Sequence, residues 1–120
     1  MDILTLIIKQ CYFDEIIAGT KKQEFREIKP SSEKKYCEID EEGYSKVVDG
    51  IIIPRHYDAI RFYVGYHKDR DSALVEVKKA EVELFVDEND EFIVLEQNGE
   101  EYYMAQVVYD LGEILEVKKK

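Results

Sequence analysis

Three charged residues stand close together near the start of the chain: Lys21, Glu24 and Arg26, within Gly19-Thr20-Lys21-Lys22-Gln23-Glu24-Phe25-Arg26. If residues 23–28 form a strand, Glu24 and Arg26 lie two apart and share a face, because side chains alternate along a strand. Lys21, in the turn just before, can lean toward the same place. An Arg and a Lys together suit a phosphate or a carboxylate, the Arg through its planar fork. The Glu can orient the Arg, or accept from an N–H of a nucleobase. A part-buried Lys21 beside Glu24 could also do acid–base or nucleophilic work. Glu24 and Arg26 could equally form an ordinary surface ion pair, worth about 0–1 kcal/mol.

A second group lies in the middle of the chain. Arg61 and Tyr63 share the outward parity of Ala59-Ile60-Arg61-Phe62-Tyr63-Val64, and Tyr66, His67, Lys68 and Arg70 follow in the next turn. Aromatics interleaved with bases are what stacking on a nucleobase beside phosphate contacts requires. A solvated strand face followed by a polar turn explains the same pattern. Lys29, Lys34 and Lys35 could widen a basic rim or simply solubilise a loop, and Lys78 and Lys79 carry the same ambiguity. The run Asp87-Glu88-Asn89-Asp90-Glu91 lacks the glycine and spacing of an EF-hand loop and reads as a solvated turn. Cys11 and Cys37 have no CxxC spacing and no histidine near them in sequence, so free thiols are expected and no metal or cofactor site.

These residues must be positioned by a small set of elements. Residues 3–8 are a short apolar run, a buried strand. Residues 10–18 follow as a helix with Tyr12, Phe13, Ile16 and Ile17 on one face, and Gly19 stops it, since glycine accepts the left-handed conformation common after a helix end. A second strand covers residues 23–28 and ends before Pro30. Residues 31–50 read as a loop with one short helix over 32–36. Residues 73–86 form a long strand whose apolar phase changes near Lys78-Lys79, which predicts a β-bulge or bend there. Asn98-Gly99, flanked by strands over 92–95 and 102–109, is a hairpin signal. The last strand extends or restarts at Gly112 and runs through Val117, and the tail Lys118-Lys119-Lys120 is expected to be frayed and solvated. Five to six strands and one early helix, without repeats or βαβ alternation, predict an α+β domain: a partly closed antiparallel β-barrel of five to six strands with a short α-helix across one end.

The run from Gly19 to Arg26 reads G-x-K-x-x-E-x-R, and on this signature the chain resembles the ASCH family, whose fold is similar to the PUA domain. Arg26-Glu27-Ile28-Lys29-Pro30, then Ile60-Arg61-Phe62 with Gly65-Tyr66, then Leu111-Gly112-Glu113-Ile114-Leu115 resemble the continuation, central strand and closing strand of small phage and bacterial members. The resemblance implies one PUA-like domain over residues 1–120, with a variable insertion at about 38–57. It implies recognition of RNA, or of a nucleotide-like small molecule, in a cleft lined by Lys21, Glu24 and Arg26. Gly19, Lys29, Arg61, Tyr63 and Tyr66 complete the expected ligand-binding set. Other members resemble small amidohydrolases acting on acylated cytidine, or ribonucleases. In that hydrolase branch a threonine nucleophile stands where this chain has Glu24, so the carry-over reaches only Lys21 and Arg26. Were the chain an enzyme, Lys21 and Glu24 would be its catalytic candidates.

Composition sets the outer bounds. The chain has 120 residues, 45% of them apolar, enough for one modest core. No run approaches the ~18–20 apolar residues of a membrane span. Asp2 stands where a signal peptide would carry Lys or Arg, so a cytoplasmic protein with no membrane partner is expected. The net charge of −10 argues against a protein that coats nucleic acid non-specifically. The charge is uneven: residues 1–79 carry 14 Lys/Arg against 15 Asp/Glu, and residues 80–120 carry 3 against 12. A short or single-stranded RNA or a nucleotide is the partner this balance favours. A protein-interaction adaptor working through the acidic C-terminal third is a further reading.

Overall fold

Leu4, Leu6 and Ile8 are buried and alternate with Ile3, Thr5 and Ile7, and this period of two makes strand β1 (Ile3–Ile8). The computed structural model describes all residues from Met1 to Lys120. Helix α1 (Gln10–Ala18) buries Phe13 and Ile16. Tyr12, expected on the same face, is instead largely exposed. The helix ends at Gly19, which takes φ 81° and donates its N–H back into the last turn. Strand β2 (Gln23–Ile28) inverts the usual pattern: Glu24 and Ile28 are buried, whereas Phe25 is exposed.

Pro30 opens a 3₁₀ turn (Pro30–Ser32) that runs into the single-turn helix α2 (Glu33–Tyr36). Strands β3 (Val47–Val48) and β4 (Ile51–Ile52) form a small hairpin around Asp49-Gly50, both at positive φ. Strand β5 (Ala59–Val64) and the long β6 (Ser72–Leu84) follow. A second hairpin pairs β7 (Val94–Gln97) with β8 (Glu100–Tyr103) around Asn98-Gly99, as that dipeptide predicts. The chain closes with β9 (Ala105–Lys118).

The protein is thus a strand-rich α+β fold. Its main sheet has five strands in the order β1-β5-β6-β9-β2, and the two hairpins form separate two-stranded sheets. The expected partly closed antiparallel barrel is not found. The sheet ends at β1 on one side and β2 on the other, and β1 lies parallel to β5, with Ile3 opposite Ala59 and Ile8 opposite Val64. Parallel neighbours cannot be joined by a hairpin, so residues 9–58 form the long connection between them.

Other expectations shift as well. The strand predicted to run from residue 102 to 109 is divided: β8 ends at Tyr103, and β9 continues unbroken past Gly112. Strand β6 is also unbroken, and its phase change is marked by two consecutive exposed residues, Lys78 and Lys79. The stretch expected to be a loop is laddered: Glu38 N–H donates to Ile53 O, Ile53 N–H to Lys46 O, and Lys46 N–H to Glu38 O.

The chain forms two compact units. The first comprises Met1–Glu24, Tyr57–Lys79 and Tyr109–Lys120; the second comprises Phe25–His56 and Ala80–Val108. In the first unit Phe13, Phe62, Ile60, Leu6, Val75 and Tyr109 are fully enclosed. In the second, Cys37 and Val107 are the fully enclosed side chains of any size, with Tyr36, Ile28 and Val108 close behind. Both cysteines are free thiols, Cys11 exposed and Cys37 buried. No helix is long and apolar enough to cross a membrane.

Candidate functional site

The turn after α1 is held by one carbonyl. Glu15 O accepts from the N–H groups of Thr20 and Lys21, at 3.0 and 3.2 Å, and from the Thr20 hydroxyl at 3.2 Å. With the turn fixed, Lys21 Nζ reaches 3.8 Å from Glu24 Oε1 and 5.4 Å from the centroid of the Tyr12 ring. The exposed Tyr12 is thereby explained: its ring faces the Lys21 ammonium. The pair is enclosed, with side-chain exposures of 16% for Lys21 and 8% for Glu24. A surface ion pair is not what the first strand turn has built.

Beside this pair lies a cleft of about 430 Å³, lined by Gly19, Lys21 and Lys22 together with Val75, Leu111 and Gly112. Gly112 has no room for a side chain as the cleft stands, because a Cβ there would overlap Glu76 Oε1. That carboxylate oxygen lies 3.4 Å from the N–H of Glu113. Of the three residues singled out in the sequence, the structure therefore brings Lys21 and Glu24 together in the first unit. Arg26 is half-buried in β2 and belongs to the second unit.

The Tyr63 group converges more than the sequence shows. Past β5 the chain turns at Gly65, whose carbonyl accepts from Arg70 Nη1 at 2.7 Å. This holds the Arg70 guanidinium 4.0 Å from the centroid of the Tyr63 ring, a contact worth about 0.5–2 kcal/mol. Tyr66 projects from the turn with 85% of its surface exposed. The expected frayed tail is instead tethered here: Lys120 N–H donates to Asp71 Oδ1 at 2.9 Å. Gln10 Nε2 donates to Asp71 Oδ2 at 3.1 Å and to Asp14 Oδ1 at 3.0 Å. The Lys120 N–H and then the Gln10 amide hold the Asp71 carboxyl below the ordinary carboxylate range, aided by the charges of Lys120 and Lys119 and opposed by burial. The outcome is a cleft of about 590 Å³ lined by Tyr63, Tyr66, Arg70 and Lys118–Lys120, with Lys68 and His67 also on its wall and Asp69 its only acid.

Compared with protein-family models, with curated proteins and with solved structures, the chain matches none. The remaining predicted residues are placed as follows. Arg61, on the same strand as Tyr63, is engaged by Glu116, its Nη1 3.4 Å from Glu116 Oε1. Lys29 lines a different cleft, in the second unit, and its Nζ lies 4.0 Å from Glu27 Oε2. Lys118–Lys120 and Asp71 were not expected at a site. Nothing in a terminal lysine run distinguishes a tethered strand end from a loose tail, and the tether depends on an aspartate far away in sequence.

Two kinds of chemistry are laid out in the first unit. The Lys21 cleft offers an ammonium, backed by the buried Glu24 carboxylate, against an apolar wall that includes Ile16, Val75 and Leu111, which suits hydrogen bonding to a polar acceptor. The Tyr63–Lys120 cleft offers two aromatic rings among five Lys and Arg side chains, which suits an unstacked base and the phosphates on either side of it.

Proposed function

We propose that this protein is an ASCH-type, PUA-like module that binds a short single-stranded RNA or a nucleotide-like ligand through its first unit. The observation that carries the proposal is the Tyr63–Tyr66–Arg70–Lys118–Lys120 cleft, where stacking surfaces and cations converge in a volume of about 590 Å³. The Lys21–Glu24 pair supports it with a second, hydrogen-bonding contact, in the place where the family resemblance puts ligand recognition. Binding is favoured over turnover because the Lys21 ammonium is already matched by the Glu24 carboxylate. An amine so paired serves as a fixed donor rather than as a free nucleophile. The charge of the first unit agrees with this reading: it carries 11 Lys/Arg against 11 Asp/Glu, so no net repulsion faces an anionic ligand there.

The test is a titration of the protein with RNA hexamers and with nucleoside monophosphates, followed by backbone amide shifts. Saturable shifts at residues 63–70 and 118–120 are expected, and a falling affinity as salt rises, with a slope of about 0.7 per phosphate contact. Tyr66→Ala should weaken RNA binding by about tenfold, since one base–aromatic stack is worth about 1–3 kcal/mol. If neither ligand produces saturable shifts in these segments or at residues 19–24, the proposal is wrong.

A further inference from the structure

The second unit holds a cleft of opposite character. It encloses about 340 Å³, inside the range of roughly 300–1,000 Å³ typical of small-ligand sites. Three tyrosines line it, Tyr44, Tyr102 and Tyr103, with three carboxylates, Glu33, Glu100 and Glu101. Ile28, Ile52, Val82 and Leu84 give it an apolar floor. Only one basic residue reaches the lining, Lys29, and its ammonium is offset by Glu27 at 4.0 Å.

The local architecture sets these groups in place. Tyr102 and Tyr103 stand on β8, opposite Leu95 and Val94 of β7, and the Tyr103 ring packs on Phe92 with centroids 5.3 Å apart. Glu33 is anchored from the other side: the N–H and the hydroxyl of Ser45 both donate to Glu33 Oε1. One carboxylate oxygen is therefore committed and the group is oriented beside the cleft. Cys37, also in the lining, is buried, and burial pushes its thiol pKa up, so it adds no thiolate there. The surroundings reinforce the sign. Residues 80–108 contain nine Asp/Glu and no Lys or Arg, and the whole unit carries 6 Lys/Arg against 16 Asp/Glu.

We propose that this cleft is a binding site for an organic cation on an aliphatic stem, an alkylammonium or guanidinium group. The carboxylates of Glu33, Glu100 and Glu101 meet the charge, the tyrosine rings supply cation–π faces, and the apolar floor takes the methylenes. Each element answers one part of such a ligand. A carboxylate-bearing or phosphate-bearing molecule would meet a net negative wall, and a neutral alkyl group would leave the carboxylate charge unmatched. The cation chemistry has two sources, a free polyamine or the Lys or Arg side chain of a peptide, and the cleft is open enough to admit either.

The test uses the intact protein with three probes: spermidine, a Gly-Lys-Gly peptide, and a linear alkyl diol as the neutral counterpart of the amine. Spermidine or the peptide should give saturable shifts at Tyr44, Tyr102 and Tyr103, and the diol none; the tighter of the first two identifies the source. The double variant Glu100→Gln/Glu101→Gln should bind roughly tenfold more weakly, the loss expected for removing charge-assisted contacts. Both residues are exposed, so the fold should persist, which circular dichroism checks. A control variant, Glu88→Gln/Glu91→Gln, removes the same charge from the same unit outside the cleft and should bind as the parent does. The proposal is overturned if neither cation saturates, if the diol binds as well as the amine, or if the control loses as much affinity as the double variant.

Discussion

The two compact units divide the work of the chain unequally. The first holds 14 of the 20 buried apolar residues and is electrically balanced; the second holds 6 and carries the entire acidic excess. Among the large apolar side chains left exposed, the second unit has the greater share, including Tyr44, Val47, Ile51, Phe92, Val94 and Tyr103. The first unit resembles the interior of a stable domain with a basic, aromatic cleft; the second is thinner, acidic and tyrosine-lined. The lesson is that a net charge of −10 describes neither region. A ligand experiences the field of the surface it approaches, because at ordinary salt charges beyond a screening length of about 8–10 Å contribute little.

The difference in core depth can be broken first. Phe62→Ala, at a site with no exposure in the first unit, should cost about 3–5 kcal/mol, a large part of the stability of a domain this size. Ile28→Ala, at the 8% exposed position in the second unit, should cost about 2 kcal/mol, toward the low end for such truncations. Urea unfolding of both variants measures the gap. Equal losses would show that the second unit is as tightly packed as the first.

The functional contrast gives the next largest effect. Tyr63→Ala should weaken binding of an RNA hexamer by about tenfold or more, by losing a stack and the seat of Arg70. Tyr102→Ala should leave RNA affinity unchanged while weakening spermidine binding. Isothermal titration of both variants with both ligands forms the cross-test, and a Tyr102→Ala variant that loses RNA affinity would dissolve the division.

The cysteines report on the same comparison, one in each unit. Exposed Cys11 should react with iodoacetamide at pH 8 at least tenfold faster than Cys37, because burial both shields the Cys37 thiol and holds it protonated. Because the folded-state pKa of Cys37 is raised, its contribution to stability is intact below the unfolded value of ~8.5 and declines as pH rises above it. Mass spectrometry of the labelled peptides gives both rates. Fast labelling of Cys37 would mean that the second unit opens readily.

The smallest effect concerns the tether at Asp71. Its carboxyl pKa is depressed by the Lys120 N–H and Gln10, so the stabilisation is complete above the unfolded value of ~3.9 and is lost as pH falls through the folded one. The Lys120 amide resonance should therefore shift with a midpoint below 3.9, and Asp71→Asn should remove the transition. A midpoint at or above the ordinary carboxylate value would mean that the tail is not held.

Much of this was legible in the chain itself. Strand β1, helix α1, its glycine stop and strand β2 were readable because each rests on a local rule: alternation, a helical face, a left-handed cap. Asn98-Gly99 announces its hairpin, whereas the hairpin at Asp49-Gly50 falls in a stretch that reads as loop, because only two strand residues flank it on each side. What could not be read was long-range. The parallel pairing of β1 with β5, the continuity of β9 and the tethering of Lys120 all depend on residues far apart in sequence. Charge behaved likewise: a cut at residue 79 put the excess acids in the last third, whereas the folded units draw residues 25–56 to the acidic side and 109–120 to the neutral one.

The opposition of Ile3 and Ala59 in the first unit also bears on how the protein comes into being. Strand β1 is complete by residue 8, yet its partner does not exist until residue 64 has been made. Closing a loop of that length costs about 3–4 kcal/mol in chain entropy before any sheet contact returns it. The best-packed part of the molecule is therefore assembled late, and its folding should fall on the slow side for a chain of this size. A nascent β1, apolar and with an open edge, must be kept from other partners until the middle of the chain arrives.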